Sequence, residues 1–88
     1  MKSIKTKINN NIGLHARPAS LLVKEANTFQ SDVNIINGSK KANGKSIIGI
    51  LALQAKYGDE IIIDVEGIDE EACIAKLVEL VEAGFGEK

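Results

Sequence analysis

The 88-residue chain has a single histidine, followed two positions later by an arginine, in the segment Gly13-Leu14-His15-Ala16-Arg17-Pro18. An apolar repeat of helical period begins just after it, so both residues fall at a helix start. Helix starts carry N–H groups without intrahelical acceptors and the positive end of the backbone dipole, and both attract anions. Arg17 adds a permanent cation able to fork onto phosphate oxygens. An imidazole is largely neutral at cell pH, so a ring nitrogen of His15 is a competent nucleophile. A phosphoryl group held on nitrogen is labile and easily passed on. These residues therefore suit transient phosphoryl transfer through His15, with Arg17 steadying the transferring charge. A turn histidine beside a solvated arginine accounts for the same spacing without any chemistry.

Ser46 is the second candidate. It precedes the apolar run Ile47-Ile48-Gly49-Ile50-Leu51-Ala52-Leu53 at the place of a helix N-cap, a structural role worth about 1 kcal/mol. A phosphate on the same hydroxyl would face the helix dipole and its open N–H groups. The run itself is apolar nearly all round, so one sheet cannot cover Ile47, Ile48 and Leu51 together with Ile50 and Leu53. An exposed patch of Ile47, Ile48 and Leu51 near His15 would suit a docking partner. The plain alternative is a short helix wedged at the sheet edge that buries most of them. Gly44-Lys45-Ser46 imitates the end of a nucleotide-binding loop, but five residues separate Gly38 from Gly44 where that loop needs four.

The elements that must position these residues follow from periodicity. Ile4, Thr6 and Ile8 alternate with lysines as a half-buried strand, and Asn9-Asn10-Asn11 and Gly13 break it. A helix starts between Ala16 and Pro18, with Ala19, Leu22, Val23 and Ala26 on one face, and ends near Asn27. Asp32 to Ile36 is a second strand, turned at Asn37-Gly38 into a short return over Lys40-Lys41-Ala42. The Ser46 helix is expected to close at Tyr57-Gly58-Asp59. Glu60 to Glu66 is a strand with Ile61, Ile63 and Val65 inward. Asp69 is expected to cap a last helix carrying Ile74, Leu77, Val78 and Val81, which ends at Gly84. The order β-α-β-β-α-β-α implies an α+β fold, with helices over one face of a mostly antiparallel sheet.

Composition removes other classes. The longest apolar run is far short of the ~20 residues of a membrane span, and the N-terminus does not open into a signal segment. One cysteine, Cys73, allows neither an intrachain disulfide nor a cysteine zinc site, and no metal or cofactor is expected. Three aromatic residues are too few for a stacking platform, so direct nucleic-acid binding is not expected. Residues 1–44 carry seven basic and two acidic groups, a net +5, whereas residues 45–88 carry four and ten, a net −6. That gradient can steer a partner, or simply mix on one surface.

Gly13-Leu14-His15-Ala16-Arg17-Pro18-Ala19 and Lys45-Ser46-Ile47-Ile48-Gly49-Ile50 together resemble the two signature segments of HPr. HPr proteins are the histidine-containing phosphocarriers of the bacterial phosphoenolpyruvate-dependent sugar phosphotransferase system. The serine segment is of the Gram-positive type, and the resemblance spans essentially all of residues 1–88 as one domain. It implies an open-faced β-sandwich, a four-stranded antiparallel sheet of order 1-4-2-3 with three helices on one face. His15 would accept a phosphoryl group from enzyme I on Nδ1 and donate it to the A component of a sugar permease, with Arg17 stabilising the group. The chain would be a carrier, not a stand-alone catalyst. Ser46 would be the target of an HPr kinase/phosphorylase, and the modified form would serve carbon catabolite repression through a transcription regulator. At Ile12 the sequence departs from the usual Ser or Thr, losing a hydroxyl contact. A purely regulatory HPr-like module is the alternative, although such relatives usually lack the histidine. Met1 and the intact pattern through the last helix are read as a free-standing chain, and the lack of a signal segment and of a disulfide pair as a cytoplasmic one.

Overall fold

The computed structural model describes residues 1–10 and 13–86, so the reading of Ile12 lies outside the described residues. The chain forms β1 (Lys2–Lys7), α1 (Ala16–Ala26), β2 (Asp32–Asn37), β3 (Lys40–Asn43), α2 (Ile47–Ala52), β4 (Glu60–Glu66) and α3 (Glu70–Glu82). A 3₁₀ turn over Gly84–Gly86 follows. The strands make one antiparallel sheet of order β1-β4-β2-β3, the order the family resemblance implies.

Alternation along the two central strands decides which side the helices take. Val33 and Ile35 of β2 and Ile61, Ile63 and Val65 of β4 are buried, in register across the pair. Their neighbours Asn34, Ile36, Ile62 and Asp64 point the other way and are only half-buried. Ala19, Leu22 and Ala26 of α1 and Cys73, Leu77 and Val81 of α3 close over the inward set. Ile50 and Leu53 are the anchors from the α2 segment. Burial pushes the Cys73 thiol up to about 11, with the nearby Asp69 charge adding to the effect, so the thiol stays protonated and inert at neutral pH.

Four local expectations are corrected. Ile4 is exposed, because β1 is an edge strand with β4 as its one neighbour in the sheet. The β2–β3 turn is Gly38-Ser39, since Asn37 still pairs with Lys40 and the positive φ of 64° falls on Gly38. The Ser46 helix ends at Leu53, where Gln54 takes a left-handed φ of 52°; Tyr57-Gly58-Asp59 is a separate turn, bonded from the Asp59 N–H to the Lys56 carbonyl at 2.9 Å. Asp69 stands at the N-cap position of α3 but makes no cap bond.

Asp69 instead holds the α1–β2 connection. Its carboxylate accepts the N–H of Gln30 at 2.8 Å, the N–H of Ser31 at 2.9 Å and the Ser31 hydroxyl. The Gly67 N–H, meanwhile, is taken by Glu70 at 3.1 Å. The Ser31 hydroxyl first, then the Gln30 N–H, hold the Asp69 carboxyl below its ordinary 3.8. The unfolded chain therefore takes up this proton first as pH falls. The stabilisation is complete above the ordinary carboxylate value and is lost as pH drops through the lower folded one. Asp69→Asn turns an amide donor toward donors, so its melting temperature at neutral pH should fall below wild type. In circular dichroism melts, that gap should narrow once the pH is below about 4. A gap independent of pH would show that the carboxylate charge contributes nothing to this tie.

Candidate functional site

The segment leading into α1 is fixed before the helix begins. Asn10, fully buried, donates from Nδ2 to the Gly13 carbonyl at 2.7 Å, and the Gly13 N–H returns to the Asn10 carbonyl at 3.2 Å. Gly13 has a φ of 68°, a left-handed angle that favours glycine. The Leu14 N–H then donates to the Ala55 carbonyl at 2.9 Å, joining this segment to the chain leaving α2. Leu14 is buried beneath, and His15 emerges at the surface.

His15 is the N-cap residue of α1, in extended backbone conformation, and its side chain makes no cap bond. Its carbonyl accepts the first helical bond, from the Ala19 N–H at 2.9 Å. Pro18 has no N–H, so Ala16 and Arg17 supply the backbone donors of the opening turn. α1 is 11 residues long with no acidic side chain in its first turn, leaving the dipole uncompensated there. Arg17 is exposed one position inside the helix start. An exposed imidazole and two helix-start amides thus stand at the helix mouth, with the exposed Arg17 two positions along the chain, a set of residues suited to a phosphoryl group.

His15 also lines a cleft of about 540 Å³, between Leu14–Ala16 on one side and Leu51, Gln54, Ala55 and Lys56 on the other. The sequence did not single out Gln54, Ala55 and Lys56. They lie some forty positions away, and long-range bonds bring them in: Leu14 to Ala55 directly at the site, and Ile8 to Gly58 and Asp59 beside it. The left-handed Gln54 was the one available signal, visible as a polar residue ending an apolar helix. Its side-chain oxygen accepts from Lys40 at 3.1 Å.

Ser46 caps α2, its hydroxyl accepting the Gly49 N–H at 3.2 Å. It is placed at the other end of α1 from His15. Asn27, the C-cap of α1, reaches the Lys45 carbonyl at 3.4 Å, and Lys45 Nζ donates to the Phe29 carbonyl at 2.8 Å. The two helices therefore run antiparallel, and the six residues of α2, about 9 Å of helix, separate Ser46 from the cleft. Ile47, Ile48 and Leu51 occupy the outer face between them at 40 %, 78 % and 39 % exposure, while Ile50 is buried. Leu51 lines the His15 cleft; Ile47 and Ile48 lie toward Ser46. Among the described residues, no cluster of three or more His, Cys, Asp or Glu side chains could hold a metal, and no helix is long and apolar enough to cross a membrane.

An antiparallel β1-β4-β2-β3 sheet under three helices, with a lone histidine at the start of the first, defines a phosphocarrier fold. Residues 2–83 match the family model PTS-HPr, described as the PTS HPr component phosphorylation site. The chain belongs to the HPr family of phosphocarrier proteins. It is 46 % identical over 67 residues to the phosphocarrier protein HPr of Mycoplasma capricolum, covering 76 % of this chain and 75 % of that one. It is 41 % identical over 78 residues to the HPr-like protein Crh of Bacillus subtilis, covering 89 % and 92 %. The crystal structure of HPr-C-His from Thermoanaerobacter tengcongensis superposes with a TM-score of 0.96 at 44 % identity, over 100 % of this chain and 99 % of that one.

Proposed function

We propose that the chain takes a phosphoryl group from phosphorylated enzyme I onto His15 Nδ1 and hands it to the A components of sugar permeases. The observation that carries this reading is the His15 imidazole: exposed at the helix mouth, not engaged in capping, and set in a cleft. In the accepting step the lone pair on Nδ1 forms the new N–P bond. The donor's bond to phosphorus breaks, and its electron pair stays on the donor atom. Arg17 and the helix-start amides meet the charge on the phosphoryl oxygens during transfer. Incubation with enzyme I and phosphoenolpyruvate should add one acid-labile phosphoryl group by intact mass, and His15→Ala should abolish it with the fold retained. Relay of phosphate to a permease component by His15→Ala would overturn the assignment.

Ile47, Ile48 and Leu51 are read as the surface shared by these partners, since they form an exposed strip running from Ser46 to the cleft and leave the core to Ile50 and Leu53. Ile48→Glu should slow transfer from enzyme I severalfold. Being so exposed, it should change stability by no more than about 0.5 kcal/mol. A large fall in melting temperature would mean that Ile48 is held by the fold instead.

Ser46 is read as a regulatory site for an HPr kinase/phosphorylase, with the phosphorylated chain recognised by a catabolite control transcription regulator. A phosphate there lies beyond reach of His15, at the far edge of the apolar patch. It adds about two negative charges that a docking partner must desolvate. The capped helix is kept, because phosphate oxygens can still accept the Gly49 N–H. Phosphoserine at 46 should therefore lower the transfer rate from enzyme I with an unchanged circular dichroism spectrum, more strongly at low salt. An unchanged rate would leave Ser46 as a helix cap alone. A second reading, a regulatory module without carrier activity, draws on the 41 % identity to Crh, a catabolite-repression HPr. Phosphorylation of His15 on incubation with enzyme I and phosphoenolpyruvate would decide against this second reading, and its failure would favour it.

A further inference from the structure

Of the side chains lining the His15 cleft, Lys56 alone carries a formal charge. Its ammonium makes no ion pair among the described residues. Its backbone, by contrast, is held tightly. The Lys56 N–H donates to Asp59 Oδ2 at 2.9 Å, its carbonyl accepts the Asp59 N–H, and its Cα lies against Gly13. The preceding carbonyl, of Ala55, takes the Leu14 N–H one residue before His15. The cation thus stands on a rigid loop, bonded to the same segment that presents the imidazole, on the wall opposite the helix mouth.

We infer that Lys56 is a second phosphoryl-binding cation, reaching the group on His15 from across the cleft while Arg17 and the helix-start amides hold it from α1. The inference rests on His15 being the phosphoryl-bearing residue. Lysine is well matched to this position, because a compact charge on a flexible stem can follow the phosphoryl group without the fixed geometry of a guanidinium. The Asp59 carboxylate accepts the Lys56 N–H and keeps its negative charge on the same loop; Lys56→Gln leaves both Asp59 and Arg17 in place, so the change it causes reads the Lys56 ammonium alone. A cation near the phosphoryl oxygens favours their more ionised form and lowers the pH at which phosphohistidine titrates.

The test needs no partner protein. His15 of the full chain is phosphorylated chemically with phosphoramidate, and the phosphohistidine is titrated by ³¹P NMR in wild type, Lys56→Gln and Lys56→Arg. Lys56→Gln should raise the titration midpoint by about 0.5–1 pH unit, with Lys56→Arg close to wild type. A loss of structure would not be rescued by arginine and would show in the amide spectrum. Superimposable titrations for wild type and Lys56→Gln would overturn the inference. Failure of enzyme I to phosphorylate the wild-type chain would instead overturn the carrier reading, leaving the titration result intact.

Discussion

A side chain at position 13 would put its first carbon 2.4 Å from the Ala55 carbonyl oxygen and 2.8 Å from the Lys56 Cα. No residue but glycine fits that approach, and its left-handed φ would strain any other. Everything at the site depends on this contact. It lets the Leu14 N–H reach Ala55, which sets where α1 begins and so where the imidazole stands. It also fixes how α2 must end, with Gln54 forced into a left-handed angle to deliver the Ala55 carbonyl. The cleft is the space left over where two loops are pinned together, by the Leu14–Ala55 bond beside it and the bonds of Ile8 to the Gly58-Asp59 turn.

The apolar composition of α2 is the second constraint. Six residues give fewer than two turns, enough to bury Ile50 and, at its end, Leu53, and nothing more. The three apolar side chains left outside, Ile47, Ile48 and Leu51, add nothing to the core. In a chain this small, such exposure makes physical sense if the surface serves association. Because α1 and α2 run antiparallel, the apolar strip bridges the histidine end and the serine end of the molecule.

Much of this was legible in the sequence because the signals were local. Strict alternation marked β4, helical spacing marked α1 and α3, and Ser46 before an apolar run marked a cap that the fold uses. The misreadings have a common physical cause. Asp69 was a good N-cap candidate by type, but a carboxylate that finds three donors on a distant loop makes more bonds there than it would at its own helix end. Ile4 alternated correctly, yet being on an edge strand left it uncovered. Ile8 lies beyond β1 but is buried, held by the Gly58-Asp59 turn. Gln54, Ala55 and Lys56 could not be placed at the site, because no periodicity in one segment announces a bond to another some forty positions away.

The sheet order also governs how the chain is made. β1 pairs with β4 alone, so the first strand to leave the ribosome has no partner until residues near Glu66 have emerged. At about 5–20 residues per second, roughly 3–12 s pass with that strand unpaired. An open strand edge of this kind invites association between nascent chains. Lys2, Lys5 and Lys7 carry charge along the waiting segment, and like charges on neighbouring copies repel. The lysines of β1 thus place like charge on that segment during the interval in which it waits for its partner.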